Sequence, residues 1–120
     1  MYHTKVKGEE LFLVTSQGYG NNITTFGRTE KGETPVSLVN ISLASCIAMC
    51  VQGYYASQEG NKAMPVEVRS CLSEKGFELV VEIGEKISSH KQEAILAYIE
   101  QKCRVKSLLR QDLEFHVSFI

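Results

Sequence analysis

Several common functional patterns are missing from this 120-residue chain. No two of its four cysteines are spaced as Cys-x-x-Cys, which argues against a thioredoxin-type motif or a zinc knuckle. Its three histidines are scattered without the spacing of metal ligands, so we expect no metal ion and no other cofactor. Gly18-Tyr19-Gly20 lacks the third glycine and the following helix of a phosphate-binding loop.

The chain also lacks any large excess of positive or negative charge. The net charge is −1 and no basic block is present, so we expect neither nucleic acid nor an acidic membrane surface as a partner. The first residues lack the apolar run of a signal peptide, which favours a cytoplasmic protein with free thiols. The length predicts a single domain over residues 1–120.

Residues 34–58 contain no charged side chain at all. A run of this length could cross a membrane, but strong strand signals surround it and polar residues interrupt it. We therefore predict no membrane partner and a central helix that is buried on nearly every side. Pro35 suits the first turn of that helix. The interrupting polar residues are Ser37, Asn40, Ser42, Ser45 and Gln52.

The remaining patterns predict an α+β fold of order βββ-α-ββ-α-β, with helices on a mostly antiparallel sheet. Three short strands are predicted at 2–7, 11–15 and 22–26, a hairpin at 66–72 and 77–83, and a closing strand at 113–119. A capping box beginning at Ser89 predicts the start of the second helix.

Each of the two predicted helices carries a cysteine that draws attention, Cys46 in the first and Cys103 in the second. Cys46 lies in the uncharged helix, and Cys103 falls on the inward face at the end of the second helix. Folding would bring such distant thiols together as a redox pair, although a buried cysteine can equally be a small core residue. Cys50 lies one turn from Cys46, and we interpret it as a packing residue because this helical spacing rarely suits a disulfide.

The sequence around both cysteines resembles that of the OsmC/Ohr family of osmotically inducible and organic-hydroperoxide-resistance proteins. The first motif reads Pro35 through Leu43-Ala44-Ser45-Cys46, and the second reads Cys103-Arg104-Val105 ahead of a closing strand. The likeness extends from residue 35 to residue 120. It implies an intertwined OsmC-like homodimer that reduces organic hydroperoxides, with Cys46 as peroxidatic thiol, Cys103 as resolving thiol and an unidentified dithiol as reductant.

Two departures from the family bear on activity. Val36 stands where the peroxidase branch has a glutamate, and no arginine precedes Arg28. An ordinary cysteine is only about 3% thiolate at pH 7, and burial lowers that fraction, so we expect a cation beside Cys46. Arg28 and Arg104 are the candidates. The resemblance thus implies a weak hydroperoxide reductase, or alternatively a non-catalytic OsmC-like dimer that binds a small apolar ligand.

Overall fold

The computed structural model describes residues 1–120 as six strands and three helices, which confirms the α+β class. The chain divides into two compact units, residues 1–39 and residues 40–120. The elements, in chain order, are β1 (Lys5–Glu10), β2 (Leu13–Gln17), β3 (Ile23–Phe26), α1 (Pro35–Glu59), β4 (Val66–Leu72), β5 (Gly76–Ile83), α2 (Ser89–Lys102), α3 (Arg104–Leu108) and β6 (Glu114–Phe119).

The N-terminal unit holds a three-stranded antiparallel sheet of order β1-β2-β3. All three strands begin later than predicted. Gly8, Glu9 and Glu10, which separate the first two predicted strands, belong to β1 in the structure. The turn lies instead at Leu11 and Phe12, where Phe12 adopts a left-handed backbone with φ of 56°. Large apolar residues are unusual in this conformation, so Leu11 and Phe12 carry no recognisable turn pattern.

The second sheet has the order β4-β5-β6. β4 and β5 form the predicted antiparallel hairpin, closed by two backbone hydrogen bonds between Ser73 and Gly76. β6 then runs parallel to β5, which strand alternation alone did not reveal. Alternate residues of β5 point into the core, and each of them is buried: Phe77, Leu79, Val81 and Ile83.

Helix α1 begins and ends within one residue of the prediction and packs one face into the core of the second unit. Its buried residues are Leu43, Ile47, Cys50, Val51 and Tyr55. The expectation of cover on nearly every side is not met within one chain, since Ile41, Ser45, Met49 and Gln52 are exposed at spacings of four, four and three. By length and composition alone α1 could cross a membrane, a test that core helices of water-soluble proteins also pass.

Helix α2 packs Ile95 and Ile99 into the same core. Its N-cap is Ser88 and not the predicted Ser89, since the Ser88 hydroxyl accepts a hydrogen bond from the Lys91 backbone N–H at 3.2 Å. Either serine could cap this helix, so the sequence did not distinguish them. The helix ends at Lys102, and the extended backbone of Cys103 separates it from the short helix α3.

Candidate functional site

Three cysteines meet in the core of the second unit. The sulfur atoms of Cys46, Cys50 and Cys103 all lie within 4.8 Å of one another. Cys50 and Cys103 are buried, whereas Cys46 is partly exposed. The predicted approach of Cys46 and Cys103 is therefore observed, and the nearness of Cys50 to both is a feature that the sequence interpretation missed.

Local structure explains how each sulfur reaches this place. Cys46 and Cys50 are four residues apart on α1, so their side chains lie on one face of the helix, one turn apart. Cys103 is both the C-cap of α2 and the N-cap of α3, and its own N–H donates to the Ile99 carbonyl at 2.8 Å. A residue at such a junction leaves the next backbone N–H groups without partners in the helix.

Those N–H groups donate to Cys46. Burial raises the pKa of the Cys46 thiol, but hydrogen bonds from the Val105 N–H, the Cys103 thiol, the Arg104 N–H and the Cys50 thiol together lower that pKa below its usual value. Hydrogen bonds to the charged form of a group favour ionisation. Cys46 is thus the thiol of this cluster that most readily becomes a thiolate, and the thiolate is the nucleophilic form of cysteine.

The other two thiols are held in the protonated form. Burial, together with a smaller effect of the neighbouring Cys46 and Cys103 sulfurs, raises the pKa of Cys50 to about 12. Burial also raises the pKa of Cys103, with a contribution from the Cys46 thiolate, while the N–H groups of Lys106 and Val105 act in the opposite direction. The cluster therefore combines one thiol of lowered pKa, Cys46, with two thiols of raised pKa that donate hydrogen bonds to it.

The two arginines proposed as cations differ in their placement. Arg104 takes part through its backbone N–H, while its residue as a whole is exposed. Arg28 lies in the segment between β3 and α1 of the N-terminal unit and is exposed. Val36, at the position of the family glutamate, is also exposed, at 65%. The fourth cysteine, Cys71, is exposed on β4.

Two depressions share walls, and the smaller one reaches the cluster at Cys103. One of about 200 Å³ is lined by Cys103, with Arg110 and Ser107 among its other walls. A larger groove of about 510 Å³ has mostly apolar walls, including Ile47 and Val117. Three residues line both depressions, so the groove continues toward Cys103. These shared residues are Glu100, Lys106 and Phe115.

At the level of sequence, neither a family model nor a curated protein matches this chain. Solved structures do match it. An OsmC-like protein of Mycoplasma pneumoniae has a TM-score of 0.76 at 17% identity, covering 100% of this chain and 96% of that one. The organic hydroperoxide resistance protein OhrB of Bacillus subtilis has a TM-score of 0.66 at 16% identity, covering 100% and 98%. The chain has the OsmC-like fold.

A third structure extends this likeness. An organic hydroperoxide resistance protein OsmC of Legionella pneumophila has a TM-score of 0.62 at 19% identity, covering 99% of this chain and 96% of that one. The OsmC-like fold agrees with the resemblance carried by the motifs at Cys46 and Cys103. At these identities the likeness concerns the fold alone.

Proposed function

We propose that this OsmC-like protein reduces organic hydroperoxides, with Cys46 as the peroxidatic thiol and Cys103 as the resolving thiol. The observation that carries the proposal is a partly exposed thiol of lowered pKa with a second, protonated thiol whose sulfur lies within 4.8 Å. A perturbed cysteine beside a resolving partner is the arrangement that thiol-based peroxide reduction requires.

In the first step the Cys46 thiolate attacks the terminal oxygen of the hydroperoxide. A sulfur–oxygen bond forms and the oxygen–oxygen bond breaks, so Cys46 becomes a sulfenic acid and the alkoxide leaves. The alkoxide takes a proton and departs as the alcohol. The sulfur loses two electrons, and the peroxide gains them.

In the second step Cys103 attacks the Cys46 sulfur. Oxidation of Cys46 removes the negative charge that helps to raise the pKa of Cys103, which makes the Cys103 thiolate more accessible at this stage. A disulfide forms, hydroxide leaves and is protonated to water. An external dithiol then restores both thiols by thiol–disulfide exchange and is itself oxidised to a disulfide.

The groove favours a hydroperoxide with an apolar body. Its volume of about 510 Å³ falls within the usual size range of small-molecule pockets, and Leu79, Ile99 and Phe115 are among its walls. The same groove is the observation that favours the second candidate function. In that alternative, the protein binds a small apolar ligand and the thiols remain unreacted.

The absence of a matched glutamate and N-terminal arginine leads us to expect slow turnover. In this chain neutral hydrogen-bond donors lower the pKa of Cys46. Such donors carry no net positive charge, so they stabilise a thiolate less than an adjacent cation would. We therefore expect Cys46-dependent peroxide reduction at a rate below that of the peroxidase branch.

The proposal is tested by following cumene hydroperoxide consumption with dithiothreitol as the reductant. Cys46→Ser should abolish consumption above the reductant's own background. Cys103→Ser should allow about one turnover per chain in the absence of reductant and leave Cys46 as sulfenic acid. The matched control is Cys71→Ser, which changes an exposed thiol outside the cluster and should leave the rate unchanged.

Two outcomes would contradict the assignment. Undiminished consumption by the Cys46→Ser variant would show that another group reacts. No consumption by the parent protein with any dithiol, combined with saturable binding of an apolar fluorescent probe, would favour the ligand-binding function instead.

A further inference from the structure

The peroxide chemistry proposed above uses two thiols, yet the structure brings three together. Cys50 is 8% exposed, and its sulfur lies within 4.8 Å of the sulfurs of both Cys46 and Cys103. A core position can be filled by many small apolar residues, so packing alone does not require a third sulfur at this point. The arrangement has a property that a cysteine pair lacks: three convergent donor atoms around one centre.

The spacing of the three sulfurs suits a single metal ion. A metal–sulfur bond is about 2.3 Å long, which places sulfurs around a shared trigonal or tetrahedral ion about 3.8–4.0 Å apart. The three sulfurs lie within 4.8 Å of one another, so side-chain movements of less than about 1 Å would bring them to the spacing that a shared ion requires. Cys46 and Cys50 come from one helix turn and Cys103 from a helix junction, so the site is built on regular elements.

We propose that Cys46, Cys50 and Cys103 form a three-coordinate, all-sulfur binding site for Cu(I). Each coordinated sulfur gives up its proton to the solvent when the ion binds, because a metal ion deprotonates a coordinating thiol. No electron is transferred in this binding step. The inference stands apart from the proposed peroxide chemistry, since it requires the sulfur geometry alone.

The chemistry of the donor set favours Cu(I) over other common ions. Thiolates are soft ligands that select Cu(I) and Zn²⁺ over Mg²⁺, Ca²⁺ or Mn²⁺. Structural zinc sites are almost always four-coordinate, whereas the group of ligand atoms here consists of three sulfurs with no histidine or carboxylate. Three sulfurs complete the coordination of Cu(I), which leaves no position to be filled.

The surroundings support two of the three ligands. The N–H groups of Arg104 and Val105 donate to the Cys46 sulfur, and those of Val105 and Lys106 donate to the Cys103 sulfur. Such donors offset the excess negative charge of a buried copper–thiolate centre and orient its ligands. Cys50 and Cys103 belong to the apolar core, which shields a bound ion from water.

Copper binding would compete with peroxide reduction for the same two sulfurs. A protein with bound Cu(I) has no free thiolate at Cys46, so its peroxide consumption would stop until the ion is removed. The site would thus couple the thiol chemistry to the supply of a thiophilic metal ion.

The test is anaerobic titration of the reduced Cys71→Ser protein with Cu(I), buffered by a colorimetric Cu(I) chelator. This background removes the exposed thiol and leaves the three clustered ones. We expect one Cu(I) per chain and X-ray absorption showing three sulfur neighbours at about 2.3 Å. Further replacement Cys50→Ala should weaken Cu(I) binding at least tenfold and reduce the sulfur count to two. This readout does not depend on peroxidase activity.

Several results would overturn the proposal. A parent protein with two sulfur neighbours, or unchanged affinity after Cys50→Ala, would show that Cys50 is not a ligand. Binding of Zn²⁺ without Cu(I) binding in the same titration would overturn the choice of ion. If Cys50→Ala does not fold, the sulfur count of the parent still decides, and Cys46→Ser provides a second ligand variant at a partly exposed position.

Discussion

At the scale of single residues, the main finding is how Cys46 becomes acidic without a matched activating cation. The groups that lower its pKa against the effect of burial are backbone N–H donors and neighbouring thiols. Backbone donors depend on chain geometry and not on residue type. A comparison limited to the side chains at the positions of the family glutamate and arginine therefore underestimates how far the pKa of the Cys46 thiol is lowered.

The acidity of Cys46 predicts its alkylation behaviour. We expect the rate of Cys46 modification by iodoacetamide to rise with a midpoint pH below that of an unfolded cysteine, which is about 8.5. The sign follows from the lowered pKa: the thiolate of the folded protein forms at a lower pH than that of the unfolded chain. The measurement is peptide mass spectrometry after timed labelling across a pH series.

The same residue in urea provides the matched reference for this labelling, because unfolding removes every donor. Cys103→Ala should move the folded-state midpoint upward, since it removes one of the two thiols that donate to Cys46. A midpoint for folded Cys46 at or above the unfolded value would mean that burial dominates and that the site contains an ordinary thiol.

The sequence identified two of the three clustered cysteines and the face of each helix that carries them. It assigned Cys50 to packing, because a helical pair four residues apart is a poor disulfide. That argument concerned Cys46 alone and could not include Cys103, whose distance from Cys50 is set by tertiary structure. The residue pattern likewise led us to predict a cation beside Cys46, since backbone donors at a helix junction cannot be recognised from residue type.

At the scale of elements, the parallel contact between β5 and β6 depends on one glycine. Gly76 has a φ of +146°, and a Cβ at this position would run into the backbone of Glu114. The pair Gly76 and Glu114 opens the register between the two strands. The strand ends can approach closely because residue 76 has no side chain.

Gly76→Ala should therefore destabilise the protein by about 2 kcal/mol, through backbone strain and displacement of β6. The free energy of unfolding from urea titration measures this effect. The control is Gly20→Ala, because Gly20 has open space around its Cβ position and no positive φ. Equal stability of the two variants would show that β6 accommodates the added methyl group without loss.

Element boundaries followed the strength of the sequence signal. The uncharged run placed α1 to within one residue, and turn residues at Ser73 and Gly76 placed the hairpin. The N-terminal strands were misplaced by two or three residues at several ends because their turn passes through Leu11 and Phe12. The five-residue helix α3 was missed, since a single turn carries no detectable periodicity.

At the scale of the whole molecule, α1 has an apolar surface that one chain does not cover. Ile41 and Met49 are 45% and 67% exposed on the helix face opposite its buried residues. We propose that a second copy of the chain covers this face in a homodimer, as the resemblance to the OsmC/Ohr family implies. Burying exposed apolar area is the dominant favourable contribution to such association.

Met49→Lys should weaken this dimer at least tenfold, since it places a charge in the proposed interface. Sedimentation equilibrium of the parent and the variant measures the dissociation constant. Leu108→Lys is the control, because Leu108 is 85% exposed and belongs to α3 and not to α1. A parent protein of monomer mass at micromolar concentration, or equal effects of the two substitutions, would argue against the proposed interface.

The redox pairing of Cys46 with Cys103 is tested in a protein that retains only these two cysteines. The variant is Cys50→Ala with Cys71→Ser, treated anaerobically with one equivalent of cumene hydroperoxide and then digested for mass spectrometry. We predict a disulfide-linked peptide pair that joins Cys46 to Cys103, with one alcohol formed per chain. Two free, alkylatable thiols together with unconsumed hydroperoxide would contradict the assignment of this cluster as a peroxide-reducing site.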